Sequence, residues 1–111
     1  MRQDIIKKII KFRNDRNWEQ FHNPKDLAIS ISIEANELLE IFQWETAENV
    51  VQNKIDNIRD ELADILTYSI LFADKLDIDI EEAILEKLAK NEKKYPIEKA
   101  YGSNKKYNEF D

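Results

Sequence analysis

Several residue types are scarce in this sequence, and each scarcity excludes a class of protein. The 111 residues contain no cysteine, which rules out a disulfide framework and fits a reducing compartment. One glycine and two prolines supply too few turns for an all-β fold. The chain has no run of about 18 apolar residues, so we expect no membrane span. We therefore predict a soluble, cytoplasmic protein.

The charge balance excludes a further class of partner. The net charge is −6, and charged residues make up 36% of the chain. An acidic surface repels the phosphates of nucleic acids, so we expect no nucleic-acid partner. Hydrophobic residues make up 42% of the sequence, enough for the core of one small domain covering residues 1–111.

Apolar periodicity and capping residues predict four helices. Isoleucines at helical spacing give a first helix over residues 3–15. Asn23 followed by Pro24 starts a second helix, which runs to about Gln43. Thr46 is the N-cap of a long third helix over residues 47–76. Asp79 caps a fourth over residues 80–94, and the Tyr95-Pro96 pair ends it.

These elements predict an all-α four-helix bundle with a polar C-terminal tail over residues 95–111, which either packs on the body or is loose. The third helix contains ILTYSILFA and is apolar on nearly every side. Such a helix is buried on every side. One four-helix subunit cannot easily bury it, so we predict a homo-oligomer, either a dimer or a tetramer.

Carboxylates interrupt the apolar stripe of the second helix. The stripe consists of Leu27, Ile31, Leu38 and Ile41. At 100° per residue, Glu34 falls in the middle of this stripe and Glu37 on its flank, whereas Glu40 points to the far side. Glu34 is the anomaly, because a buried carboxylate is unfavourable without a partner.

The third helix carries a matching acidic pair. Its apolar stripe consists of Val51, Ile55, Ile58, Leu62, Ile65 and Ser69. Glu61, Asp64 and Tyr68 share one flank of that stripe. Each helix therefore has two carboxylates at i and i+3, within about 5–6 Å at Cβ. If the two helices pack antiparallel, the pairs can face each other.

A divalent cation resolves the repulsion among four carboxylates. Hard oxygen ligands without cysteine select Mg²⁺, with Mn²⁺ as a substitute. A di-iron bundle would require histidines in the ligand motifs, and the single histidine, His22, lies outside both pairs. The competing interpretation is two ordinary solvated helix faces, since acidic pairs at this spacing are common.

Several longer stretches resemble a known family. The ExxE and ExxD pairs, together with FRNDRNWEQFHNPKDLA, FQW, DELADILTY, KLAKNEKKYP and YGSNKKY, resemble the MazG-like all-α nucleoside triphosphate pyrophosphohydrolases. The WEQFH and FQW elements are similar to the dCTP pyrophosphatase branch. The resemblance covers residues from about Phe12 to Tyr107.

The resemblance implies hydrolysis of a nucleoside triphosphate to a monophosphate and pyrophosphate, in the service of nucleotide-pool sanitation. It implies that Mg²⁺ is held by Glu34, Glu37, Glu61 and Asp64, of which we take Glu37 and Glu61 as the catalytic pair. It implies that the nucleotide is contacted by Trp18, Glu19, Gln20, Phe21, His22, Trp44, Tyr68, Lys87 and Asn91. Glu37 is our candidate for the general base, because it lies on the flank of the stripe.

The expected substrate is dCTP or a modified dCTP. One residue departs from the pattern of the family, and two alternative functions stay open. Animal members of this branch have a histidine about nine residues before the tryptophan of WEQFH, where this chain has Ile9. A related enzyme acting on another nucleotide, such as dUTP, is one alternative. A metal-stabilised helical interaction module without catalysis is the other.

Overall fold

The computed structural model describes residues 2–111, and in this range the chain is helical with no β-strand. The predicted all-α class is thus confirmed. The chain divides into two compact units, one ending at Ile78 and the other covering Asp79–Asp111. The prediction of a single domain concerns both units together and stays a prediction. None of the helices formed by residues 2–111 has the length and apolar character of a membrane span.

The first unit is organised around one central helix. Its elements are α1 (Gln3–Asp15), a 3₁₀ turn (Glu19–Phe21), α2 (Pro24–Ile41), α3 (Ala47–Asn53) and α4 (Ile55–Lys75). Helix α4 packs most extensively against α2 and also contacts α1 and α3. The α2–α4 contact is what brings the two acidic helix faces together.

Side-chain caps set two of these helix starts, as the sequence predicts. The Asn23 side chain accepts a hydrogen bond from the Asp26 amide at 2.9 Å, and Pro24 occupies the first turn. The hydroxyl of Thr46 accepts one from the Asn49 amide at 3.2 Å. Each cap satisfies an amide that a helix start leaves without a partner.

The predicted third helix over residues 47–76 is wrong in one respect, because it is two helices that meet at Lys54. Lys54 leaves the helical region with φ −128° and ψ 27°. The preceding turn contains β-branched Val50 and Val51 followed by Asn53, all weaker helix formers than leucine or alanine. Val50 is fully buried. We infer that its packing fixes the short α3 separately from α4.

Two smaller differences concern helix ends and faces. Helix α2 ends at Ile41 rather than Gln43, and the chain then turns at Trp44, whose φ is +65°. Of the stripe predicted for the third helix, Leu62 and Ile55 on α4 are 49% and 51% exposed, and Val51 on α3 is 53% exposed. Glu61 is the less exposed neighbour of Leu62. A carboxylate thus takes a place on α4 that an apolar side chain was expected to fill.

The second unit contains α5 (Ile80–Lys94), α6 (Ile97–Ala100) and a second 3₁₀ turn (Tyr107–Glu109). Asp79 caps α5 by accepting from the Glu82 amide at 3.1 Å, as predicted. Within the polar tail, aromatic rings contact one another, whereas its packing on the rest of the chain stays a prediction. The Tyr95 ring meets the rings of Tyr107 and Phe110 edge to face, at centroid distances of 6.1 and 5.8 Å.

Candidate active site

Three carboxylates from α2 and α4 converge on one point. Oxygens of Glu34, Glu61 and Asp64 all lie within 4.8 Å of one another. Glu34 and Glu61 are partly buried, whereas Asp64 is exposed. Each glutamate places its Oε2 atom where no solvent reaches and where it has no hydrogen-bond partner. Buried polar atoms are rarely left without a partner, so these two oxygens are suited to binding a ligand.

The electrostatics of the cluster also favour a bound cation. The carboxyl of Glu34 has its pKa raised from the ordinary value to about 7. The largest cause is its close contact with the Glu61 carboxyl, followed by burial, by contact with Glu37 and by the charges of Glu37 and Asp64. Like charges at this distance cannot all ionise without a counter-charge. A divalent cation would supply that counter-charge.

Glu37 and Tyr68 adjoin this cluster. Glu37 contacts Glu34 but does not belong to the group of three whose oxygens converge, and its side chain is exposed. Burial and the charges of Glu34, Asp64 and Glu37 raise the pKa of the Tyr68 hydroxyl, which therefore stays protonated. Tyr68 thus presents a hydrogen-bond donor beside the carboxylates.

A cleft opens beside the cluster. It has a volume of about 450 Å³ and is bounded by side chains from α1, the loop after it and α4. Asp64 lies both in the carboxylate cluster and on the wall of the cleft, so the two features are continuous. The lining residues are Ile5, Lys8, Ile9, Phe12, Arg13, Trp18, His22, Asp64, Thr67, Tyr68 and Leu71.

One wall of the cleft carries aromatic rings. The rings of Phe12 and Trp18 meet edge to face at 5.7 Å. The Arg16 guanidinium lies 3.7 Å from the centroid of the Phe12 ring. His22 also lines the cleft and is grouped here with Phe12 and Trp18 as the aromatic wall; its Nδ1 atom is buried without a hydrogen-bond partner. Burial lowers the pKa of His22, as do the charges of Arg13 and Lys75, so the imidazole is neutral.

The other predicted residues of the first unit do not line the cleft. Glu19 lies near two cations, Gln20 donates to the carbonyl of Asn17 at 3.0 Å, and Phe21 is 65% exposed. Trp44 is 94% exposed. Of the segment from Trp18 to His22, only its two ends therefore reach the cleft.

Lys87 and Asn91 belong to the second unit. Both lie on α5, one turn apart on the same helix face. Their assignment as substrate contacts stays a prediction.

Sequence reasoning noted only Ile9 on α1, as the position of a histidine in related proteins, and missed the rest of the α1 face. Ile5, Lys8, Ile9 and Phe12 follow the i, i+3, i+4, i+7 pattern of one helix face, and all four line the cleft. The available signal was Lys8, a charged residue within an otherwise apolar stripe. Thr67 and Leu71 on α4 were missed as well, because their helix is apolar on several sides.

The sequence of this chain is similar to those of known proteins. The sequence model of the MazG-like family matches residues 29–110, which include the four predicted ligands. Human dCTP pyrophosphatase 1 is 33% identical over 113 aligned residues, which cover 97% of this chain and 66% of the human protein. The bovine protein of the same name is also 33% identical, over 97% of this chain and 67% of its own length. The chain thus spans about two thirds of these relatives.

A solved structure shares the fold. A pyrophosphatase from Archaeoglobus fulgidus superposes with a TM-score of 0.80 and 40% sequence identity, over 85% of this chain and 91% of that one. The sequence similarity and the shared fold thus indicate the same group of proteins.

Proposed function

The chain belongs to the MazG-like family, and from this premise we propose that it hydrolyses a nucleoside triphosphate between the α- and β-phosphates. The products are the nucleoside monophosphate and pyrophosphate. The proposed substrate is dCTP or a modified dCTP, and the proposed role is removal of such nucleotides from the cytoplasmic pool. The similarity to dCTP pyrophosphatases, together with the WEQFH and FQW segments, supports this choice of substrate.

The observation that carries the proposal is the pair of buried, unpartnered oxygens on Glu34 and Glu61. They fit a hard divalent cation, because carboxylate oxygens are its preferred ligands and no thiolate is present. We assign Mg²⁺, with Mn²⁺ as a substitute, to Glu34, Glu61 and Asp64, and we place Glu37 at the edge of the site. Bound there, Mg²⁺ would offset phosphate charge and increase the acidity of a water molecule.

The residues around the proposed cation site have separate roles in catalysis and in nucleotide binding. Glu37 contacts Glu34 but lies outside the converging group, so it is free to accept a proton from the attacking water. The Tyr68 hydroxyl is a donor at the junction of cluster and cleft. Trp18 provides an aromatic face for the base, and the neutral His22 imidazole lines the same cleft as a hydrogen-bonding group.

The proposed enzyme is a homo-oligomer. Large apolar side chains are exposed on α2 and α4, including Leu39 at 68%, Leu62 at 49% and Leu66 at 44%. Exposed apolar surface of this extent is typical of a contact with another subunit. Trp44, at 94% exposure, would then contact nucleotide bound in a neighbouring subunit.

The experiment that tests this function is a pyrophosphate-release assay on dNTPs, NTPs and 5-modified dCTPs, with Mg²⁺ and with EDTA. We expect Mg²⁺-dependent release that is fastest with a cytosine deoxynucleotide. Fastest release from a nucleotide with another base would support the proposed reaction but refute the proposed substrate. Folded protein that binds Mg²⁺ but releases no pyrophosphate would favour the interaction module instead.

A further inference from the structure

Arg13 is the one charged residue that is buried among residues 2–111, with 4% of its surface exposed. It lies in the last turn of α1. Its Nη1 donates to Oδ2 of Asp74 at 2.8 Å, and its Nε donates to Oδ1 of Asn14 at 3.0 Å. Asp74 lies in the last turn of α4, 61 residues further along the chain. A charge-assisted hydrogen bond thus joins the ends of two helices that bound the cleft.

The same arginine holds the loop that carries the aromatic wall. The backbone carbonyl of Arg13 accepts a hydrogen bond from the Trp18 amide at 3.1 Å. Its Nη2 lies 3.8 Å from a carboxylate oxygen of Glu19, whose other oxygen is 3.7 Å from the Lys75 ammonium. The carbonyl of Glu19 in turn accepts from the His22 amide at 3.0 Å. Contacts centred on Arg13 therefore reach both wall residues, Trp18 and His22.

We propose that Arg13 and Asp74 are positioning residues, which fix Trp18 and His22 relative to the part of α4 that carries Asp64 and Tyr68. This inference rests on the proposed function, because it concerns the wall of the same cleft. Arg13 itself borders the cleft, but its side chain is 5% exposed and its donors are directed to Asp74 and Asn14. It therefore acts through the wall and does not contact the nucleotide.

We assign Glu19 a role different from the nucleotide contact that the WEQFH segment predicts. Its carboxylate lies between Arg13 and Lys75 and is absent from the lining of the cleft. It connects the loop to the positioning pair. A nucleotide contact by this side chain would require it to leave both cations.

The test must separate positioning from stability, because removing one partner of a buried ion pair leaves an uncompensated charge. The double variant Arg13→Met with Asp74→Leu avoids this, since apolar replacement of both partners is often tolerated. Arg13→Lys keeps the positive charge but loses the planar fork. Lys11→Met is the matched control: Lys11 is on the same helix, and its 2.6 Å ion pair with Asp15 is exposed and away from the cleft.

Two readouts are compared across these folded proteins. We expect the double variant to raise KM by about tenfold and to change kcat by less than about twofold, since a displaced wall weakens binding more than chemistry. The control should keep the wild-type KM. The second readout is NMR titration of His22, the only histidine in the chain. In Arg13→Lys the pKa of His22 should return toward its ordinary value, because the displaced ring becomes more solvated while the nearby charge remains.

The outcomes are distinct. A double variant with wild-type KM, or an unchanged His22 titration in Arg13→Lys, overturns the positioning role. If wild-type protein releases no pyrophosphate from any triphosphate, the proposed function fails, and the His22 titration still decides whether the pair fixes the wall. A rise in KM in the Lys11→Met control equal to that of the double variant also overturns the inference.

Discussion

The carboxylate cluster and the Arg13 network behind the aromatic wall both contain buried polar atoms, yet these atoms differ in their hydrogen bonding. In the cluster, Glu34 and Glu61 each keep a buried oxygen without a partner. On the wall side, the buried Arg13 has hydrogen bonds to Asp74 and Asn14. The cluster is therefore arranged to receive a cation, whereas the satisfied network behind the wall is arranged to stay in place. The following predictions test this division of roles.

The largest effect is expected from removing one cluster carboxylate. Glu61→Gln should lower kcat by at least about 100-fold, because it removes a ligand charge from the cation site. It should also raise the melting temperature of the metal-free protein, because the repulsion with Glu34 is relieved. Pyrophosphate release and thermal melting check the two effects on the same sample.

Glu40→Gln is the control for that variant, because Glu40 is an exposed glutamate on the far side of α2. It should keep wild-type activity. Equal activity of the Glu61→Gln variant and wild type would show that the cluster takes no part in the reaction.

The next largest effect on kinetics is expected from a change in the aromatic wall of the cleft. Trp18→Ala should raise KM by about tenfold or more, because stacking on a base contributes about 1–3 kcal/mol. Its kcat should change much less, since the cluster is intact. Steady-state kinetics decide, with Tyr101→Ala as a control that removes an aromatic side chain 89% exposed on the second unit. A loss in kcat alone would place Trp18 in the chemistry instead of in binding.

A smaller effect tests whether subunits share sites. We expect the Trp44→Ala and Glu61→Gln variants each to have low activity. After unfolding and refolding together, random dimers should recover roughly a quarter of wild-type activity, since half are mixed and each mixed dimer has one intact site. No recovery, in a mixture shown to contain mixed oligomers, would place Trp44 in its own subunit's site or outside any site.

The smallest effect is a pH dependence of stability. The folded-state pKa of Glu34 is about 7, above its ordinary pKa of 4.5. Its stabilising contribution is therefore complete below about pH 4.5 and is lost as the pH rises through about 7. Without metal, the melting temperature of wild type should fall by several degrees over this range relative to Glu34→Gln. The same dependence of melting temperature on pH in the two proteins would contradict the raised pKa of Glu34.

The sequence predicts features that depend on neighbours along the chain. The caps at Asn23, Thr46 and Asp79 and the acidic pairs on the helix faces are local patterns, and the structure contains them. Glu34 is recognisable because it interrupts an apolar stripe within a single helix. Local chemistry thus predicts the all-α class and most of the cluster.

Features that depend on distant contacts could not be predicted in this way. The pairing of Arg13 with Asp74 joins residues 61 positions apart, and no local pattern marks either one. The break at Lys54 coincides with the complete burial of Val50, which is a tertiary effect. The α1 wall of the cleft likewise depends on how α1 packs against α4.

The measurement that tests the central claim most directly is Mn²⁺ binding followed by electron paramagnetic resonance, for wild type, Glu61→Gln and Glu40→Gln at pH 8. A cluster arranged to receive a divalent cation predicts saturable Mn²⁺ binding by wild type and by Glu40→Gln, with competition by Mg²⁺. It predicts that binding weakens at least about tenfold in Glu61→Gln. Equal affinity in all three proteins would contradict the assignment of the cation to this cluster.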